Sequence, residues 1–131
     1  MSLIGLIVVG GGAAAGAWLR WWFGAAFNQL FPTLPLGTLA ANLTAGFLLG
    51  ISTELFVRQV EYPPEVRLLV VTGFLGGLST FSTFASEAVI LLARKEYWWG
   101  AAHAAMHVAG TIGATVLGIF AVRLLLSVLA S

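Results

Sequence analysis

The sequence predicts an all-α membrane protein of four transmembrane helices, the third broken near its middle. Three observations lead there. First, the chain has 131 residues, of which 60% are hydrophobic and only 8% charged. A soluble domain typically carries about 25% charged residues, so this chain cannot cover a surface in water. Second, four apolar runs lie at about residues 3–22, 37–57, 66–92 and 98–129. Each reaches the roughly 20 residues that a helix needs to cross a bilayer. Third, the hinges are short: Phe31-Pro32-Thr33-Leu34-Pro35, the stretch 58–65 with Pro63-Pro64, and Arg94-Lys95-Glu96. No soluble domain fits between them, so residues 1–131 form one transmembrane unit.

Composition also excludes several activities. There is no cysteine, hence no disulfide and no thiolate nucleophile or ligand. There is no aspartate, so an Asp-containing triad is ruled out, and the chain is not read as an enzyme. A net charge of +1 provides no basic patch for nucleic acid. Ala13-Ala14-Ala15 resembles a signal-peptidase site, but no Lys or Arg precedes the run and the run continues past it. A retained first helix is therefore expected.

In the first helix, Gly12-x-x-x-Gly16 places small residues where two helices can approach closely. Arg20 follows among Trp18, Trp21 and Trp22, a membrane-interface composition. It has two readings: a side chain snorkelling from a helix end, or a cation drawing an anion toward a vestibule. The second helix opens after Pro35 and carries Thr38 and Asn42 on one face. An amide inside a membrane helix needs partners, either a neighbouring helix or a polar path. Gly46-x-x-x-Gly50 continues as a packing face, and Glu54 and Arg58, four apart, can pair.

The third helix holds the stretch Gly-Phe-Leu-Gly-Gly-Leu-Ser-Thr-Phe-Ser-Thr-Phe at 73–84. Gly76-Gly77 is expected to loosen the helix, because glycine has the largest backbone freedom to lose. A broken helix survives in lipid only where protein or a watery cavity satisfies the freed groups. Beyond it, Phe81 and Phe84 share one face, while Thr80, Thr83 and Glu87 form a polar stripe. Glu87 has two readings: an acid that reaches the interface or is protonated, or a member of a polar track bonded to Thr83 or a hydroxyl of the second helix. In the fourth helix His103, His107 and Thr111 repeat every four residues. Two histidines at that spacing can ligate a metal, but with no cysteine and no nearby glutamate an interior polar stripe is the better reading. Arg123 is expected to snorkel at the helix end.

Basic residues divide evenly between the two ends: Arg58, Arg67 and Arg123 against Arg20, Arg94 and Lys95. Orientation follows the Lys/Arg bias, and without one the chain should insert both ways up. That permits a dual-topology, antiparallel homodimer. The polar groups are mostly donors, and a phenyl ring offers a positive edge, a set better suited to a small anion than to a cation; on the residues alone, core packing is the stronger reading of a phenyl pair at helical spacing.

The stretch 73–84 resembles the signature of the Fluc/CrcB fluoride channels. The likeness extends to Gly12-x-x-x-Gly16-Ala17-x-x-Arg20, to Gly37-Thr38-Leu39-x-x-Asn42 and to Glu87. It implies a multi-pass protein of the inner (plasma) membrane, of bacterial type, with itself, fluoride and lipid as partners. It implies passive, fluoride-selective export through two antiparallel pores per dimer. Phe81 and Phe84 are then expected to hold fluoride by ring edges and Asn42 to donate to it. Thr38, Ser82, Thr83 and Glu87 join the polar track, and Arg20 lies near a vestibule. It further implies a central structural sodium ion on the backbone carbonyls of Gly76 and Ser79. Here His103 and His107 stand where the family tends to carry tyrosine or serine. The alternative is a small dual-topology multidrug exporter, but such proteins need a membrane carboxylate, typically in the first helix, and this first helix has none.

Overall fold

The computed structural model describes residues 1–58 and 61–131. The described residues are helical throughout, apart from short connections. Four helical spans are long and apolar enough to cross a membrane: Leu3–Phe27, Leu36–Arg58, Pro64–Ala93 and Tyr97–Ala130. Part of the turn expected at 59–65 falls on residues 59 and 60, which lie outside the described residues.

Helix α1 (Leu3–Phe27) starts at Ser2, whose hydroxyl accepts from the Gly5 N–H at 3.0 Å. A serine in this position satisfies one of the donors a helix start leaves open. The helix runs past the expected end at residue 22, so Arg20 lies about two turns inside it. The Trp18-to-Trp22 cluster thus does not mark the helix end. Asn28, just beyond α1, accepts from the Thr38 N–H at 3.1 Å. One side chain thereby closes the first hinge and anchors the start of α2 (Leu36–Arg58).

The third span is four pieces. A short α3 (Pro64–Arg67) leads into a π-helical stretch, Leu68–Leu75, then α4 (Gly76–Leu78). The chain then leaves helical geometry at Ser79 (ψ 152°) and Thr80 (φ −150°, ψ 114°) before α5 (Phe81–Ala93). The break therefore comes two residues later than expected. Gly76 itself is helical, at φ −63° and ψ −37°. Gly77 instead permits close approach: a Cβ there would lie 2.9 Å from Ala13 Cα. Two things support a break at Thr80. Its hydroxyl caps α5 by accepting from the Thr83 N–H at 3.2 Å, and its own backbone finds partners on α2.

Helix α5 ends in a tight reversal. Lys95 takes the left-handed conformation (φ 61°), and the Glu96 N–H reaches the Leu91 carbonyl at 2.9 Å. This bond pattern closes many helix C-termini. Helix α6 (Tyr97–Ala130) then follows, 34 residues long.

Small residues decide which helices pair. Helix α1 lies along the π-helical stretch and α4, and α2 lies along α6. A Cβ on Gly16 would meet Leu78 N at 2.7 Å, and one on Gly46 would meet the Thr111 carbonyl at 2.9 Å. Both glycine pairs read as packing faces are used that way. Gly10 and Gly11 face open space. Ala41, Ala45, Leu75 and Leu78 form the buried centre between α2 and the third span.

At one end, Glu54 is buried and holds Arg58 at 2.6 Å and Arg123 at 3.0 and 3.3 Å. The Glu54–Arg58 pairing matches the spacing argument. Arg123 does not simply snorkel; it returns to a carboxylate on α2. Arg67 lies over the Phe56 ring, 5.2 Å from its centre. Three basic residues thus collect at this end.

Candidate functional site

The break in the third span sits against Asn42. The Asn42 Oδ1 accepts from the Thr80 N–H at 2.7 Å, and Nδ2 donates to the Thr80 carbonyl at 3.0 Å. This two-point pairing replaces the helical bonds that Thr80 forgoes, as irregular backbone in an apolar setting requires. The sequence marked Asn42 as needing partners; that the partner is backbone, and that of Thr80, emerges only in three dimensions.

From Asn42 a line of polar side chains runs between α2, α5 and α6. Nδ2 of Asn42 also reaches His107 Nδ1, at 3.1 Å. His103 Nε2 lies 3.3 Å from Glu87 Oε2, a close polar contact without hydrogen-bond alignment. Glu87 Oε1 accepts from the Thr38 hydroxyl at 2.5 Å. Glu87 is therefore held by the second helix and not by Thr83. Thr83 instead accepts from the Thr80 hydroxyl at 2.9 Å. Thr38, Asn42, His103 and His107 are all buried, each less than a tenth exposed. Glu87 joins the two histidines with ligand atoms within 4.8 Å of one another. The expectation that no glutamate lies near the histidines is thus wrong. Sequence spacing cannot show that α5 packs on α6 at that level.

Beside this line opens a cavity of about 310 Å³. Asn42, Ser79 and Thr80 form its polar wall, Phe81 and Phe84 its aromatic one, and His107 and Thr111 with Val108 and Ile112 close it. The Phe81 and Phe84 rings are 5.5 Å apart. The His103 ring stacks on Phe84 at 5.1 Å and 27°, and His107 lies 4.7 Å from it. Both imidazoles thus pack against the Phe84 ring, which also lines the cavity. Phe81 is 77% exposed and Ser82 is exposed beside it. Arg20 does not line the cavity. Its Nε donates to the Gly77 carbonyl at 3.0 Å, on the α1 side of the third span.

The structure thus brings together Asn42, Phe81, Phe84, His107 and Thr111 at the cavity, with Thr38, Glu87 and His103 in the adjoining track. Thr83 and Ser82 sit at the α5 start, within 2.9 and 3.5 Å of the Thr80 hydroxyl. Two contributors were not singled out in advance. Asn28, which sets the start of α2 and so the height of Thr38, gave no sequence signal beyond an amide before a proline hinge. The backbone of Thr80 gave none.

Residues 7–119 match the family model described as "CrcB-like protein, Camphor Resistance (CrcB)". The chain belongs to the CrcB family. Its curated relatives carry the name "Fluoride-specific ion channel FluC". One from Nitrosospira multiformis is 55% identical over 94% of this chain and 96% of its own length. Another, from Cupriavidus taiwanensis, is 50% identical over 95% of this chain and 99% of its own length. A third, from Ralstonia pickettii, is 48% identical over 94% and 98%. These CrcB relatives are named as channels and not as enzymes.

Proposed function

We propose that this protein is a fluoride channel that lets the ion leave the cell passively across the inner membrane of a bacterium. The observation that carries the reading is the cavity at the Thr80 break. There two phenyl rings, hydroxyls and an imidazole converge, and among the described residues no carboxylate or cation lines the wall. The names of relatives about half identical over nearly the whole chain supply the ion.

In this reading a dehydrated fluoride passes Phe81 and Phe84 by their edges and moves along the Thr111, His107, His103 and Glu87 side of the track. Thr38 fixes the Glu87 carboxyl, and Ser82 and Thr83 offer hydroxyls where the track meets the break. The working unit is an antiparallel dimer of two copies inserted in opposite senses, with two pores. The exposed Phe81 and Ser82 support this: a hydroxyl and a non-helical break on an outer face call for protein, not lipid, to cover them. The balanced ends of the chain support it as well.

A structural sodium belongs to the same reading. Gly76 and Ser79 are both exposed on one copy, and Ser79 has left the helix. Among the described residues no hydrogen bond reaches the Ser79 carbonyl. Backbone oxygens of this kind suit a hard monovalent cation held between two copies. Such an ion would join the broken helices electrostatically.

The test is fluoride efflux from liposomes holding the purified protein. Passive fluoride flux well above chloride flux, abolished by Phe81→Ile, is the expected result. Proton-coupled transport of organic cations, or no flux of either ion, would remove the reading.

A further inference from the structure

Helix α2 takes its cap from another helix. The residue before it is Pro35, whose side chain offers no acceptor. The Thr38 N–H, in the first turn of α2, instead donates to Asn28 Oδ1 at 3.1 Å, ten residues back. An oxygen on an amide in this turn is what a helix's own cap residue normally supplies. Asn28 is itself held in place. Its N–H donates to the Gly24 carbonyl at 3.1 Å, so it continues the last turn of α1. Gly37 makes the room: a Cβ there would lie 2.7 Å from Asn28 Oδ1 and would run into the Phe23 carbonyl. The hinge between the helices is packed as well, with Leu34 buried and the Phe31 ring 5.5 Å from that of Trp99.

Thr38 joins this cap to the polar track. Its N–H takes the Asn28 oxygen, and its hydroxyl donates to Glu87 Oε1 at 2.5 Å. The other Glu87 oxygen lies 3.3 Å from His103 Nε2. A hydrogen bond between oxygens is lost beyond about 3.5 Å. Sliding α2 by about 1.5 Å, the rise of a single residue, is enough to part the hydroxyl from the carboxyl. The track therefore needs the start of α2 held to a fraction of that step.

We propose that Asn28 is a positioning residue for the anion path: it caps α2 from the end of α1, sets the height at which Thr38 meets Glu87, and so controls fluoride flux. Asn28 does not line the cavity, so its effect reaches the path through Thr38. This deepens, and rests on, the reading of the protein as a fluoride channel.

The experiment uses the full chain in lipid vesicles. Asn28→Leu keeps the size of the side chain and loses the oxygen; Asn28→Asp keeps the oxygen. Loss of a cap bond predicts hydrogen exchange at the Thr38 amide about fivefold faster in Asn28→Leu, with Asn28→Asp close to the parent. Fluoride flux should fall severalfold in Asn28→Leu and in Thr38→Val. The pair decides between a positioning role and a merely structural one. If Asn28 acts through Thr38, adding Asn28→Leu to Thr38→Val lowers flux no further, whereas independent effects multiply. All variants must keep the parent's oligomeric size, which separates a moved helix from a lost fold. Parent-level flux in Asn28→Leu, multiplied losses in the double variant, or unchanged exchange at Thr38 would each overturn the proposal. Parent vesicles that pass no fluoride would instead sink the channel reading, and amide exchange would still judge whether Asn28 holds the start of α2.

Discussion

Thr38 shows how one hydroxyl can hold a carboxyl inside an apolar helical run. Glu87 lies in an apolar run and half-buried, with Oε1 bonded to Thr38 and Oε2 beside His103. A buried carboxyl with a missing partner is penalised more than the bond itself is worth. Thr38→Val is therefore expected to destabilise the folded protein by about 1–3 kcal/mol, while Thr38→Ser stays close to the parent. Thermal unfolding in detergent measures both; equal melting of the valine and serine variants would show that the hydroxyl contributes nothing. Asn42 makes the complementary point. Its residue type alone announced a buried polar need, but neither the Thr80 backbone nor His107 could be named from spacing, since they lie 38 and 65 residues away.

At the level of elements, glycine and not leucine sets which helices touch. Gly16 and Gly77 let α1 and α4 meet backbone to backbone, and Gly46 and Gly50 do the same for α2 and α6. A methyl added at Gly16 would sit 2.7 Å from Leu78 N, while one at Gly10 would meet nothing within 4 Å. Forcing a methyl into such a contact costs about 1–3 kcal/mol. Gly16→Ala is expected to lower the thermal midpoint clearly and Gly10→Ala to leave it unchanged. A destabilising Gly10→Ala would mean that α1 has a further close neighbour. The break itself belongs to this scale. A run of glycines was the visible signal, yet the helix continues through them and opens at Ser79 and Thr80. Backbone freedom permits a break; the Asn42 amide and the Thr80 cap determine where it falls.

For the whole molecule, the open side of the third span is the informative surface. One copy leaves Phe81, Ser79 and Ser82 exposed. If an antiparallel copy covers them, a cysteine at Ser82 should form a cross-linked dimer when joined by a short bifunctional reagent in the membrane. Labelling of a cysteine at Arg94 should then reach both sides of the bilayer in about equal measure, as expected of a chain with no charge bias. Labelling from one side only would rule out dual insertion.

What the sequence determined by itself was the environment and the periodic content: four spans, the hinges between them, and the polar residues that each helix presents on one face. These are local properties, set by hydropathy over about 20 residues and by the 3.6-residue turn. It also carried the family signature, because each of its motifs is a local run within one helix. Only the tertiary structure decided partners across helices. It placed Glu87 beside His103, returned Arg123 to Glu54, put Arg20 on Gly77, and turned Asn42 toward Thr80 and His107. Each of these depends on how two distant helices are rotated and how high they sit against each other. That is fixed by where the small residues fall on both helices together, and neither helix encodes it alone.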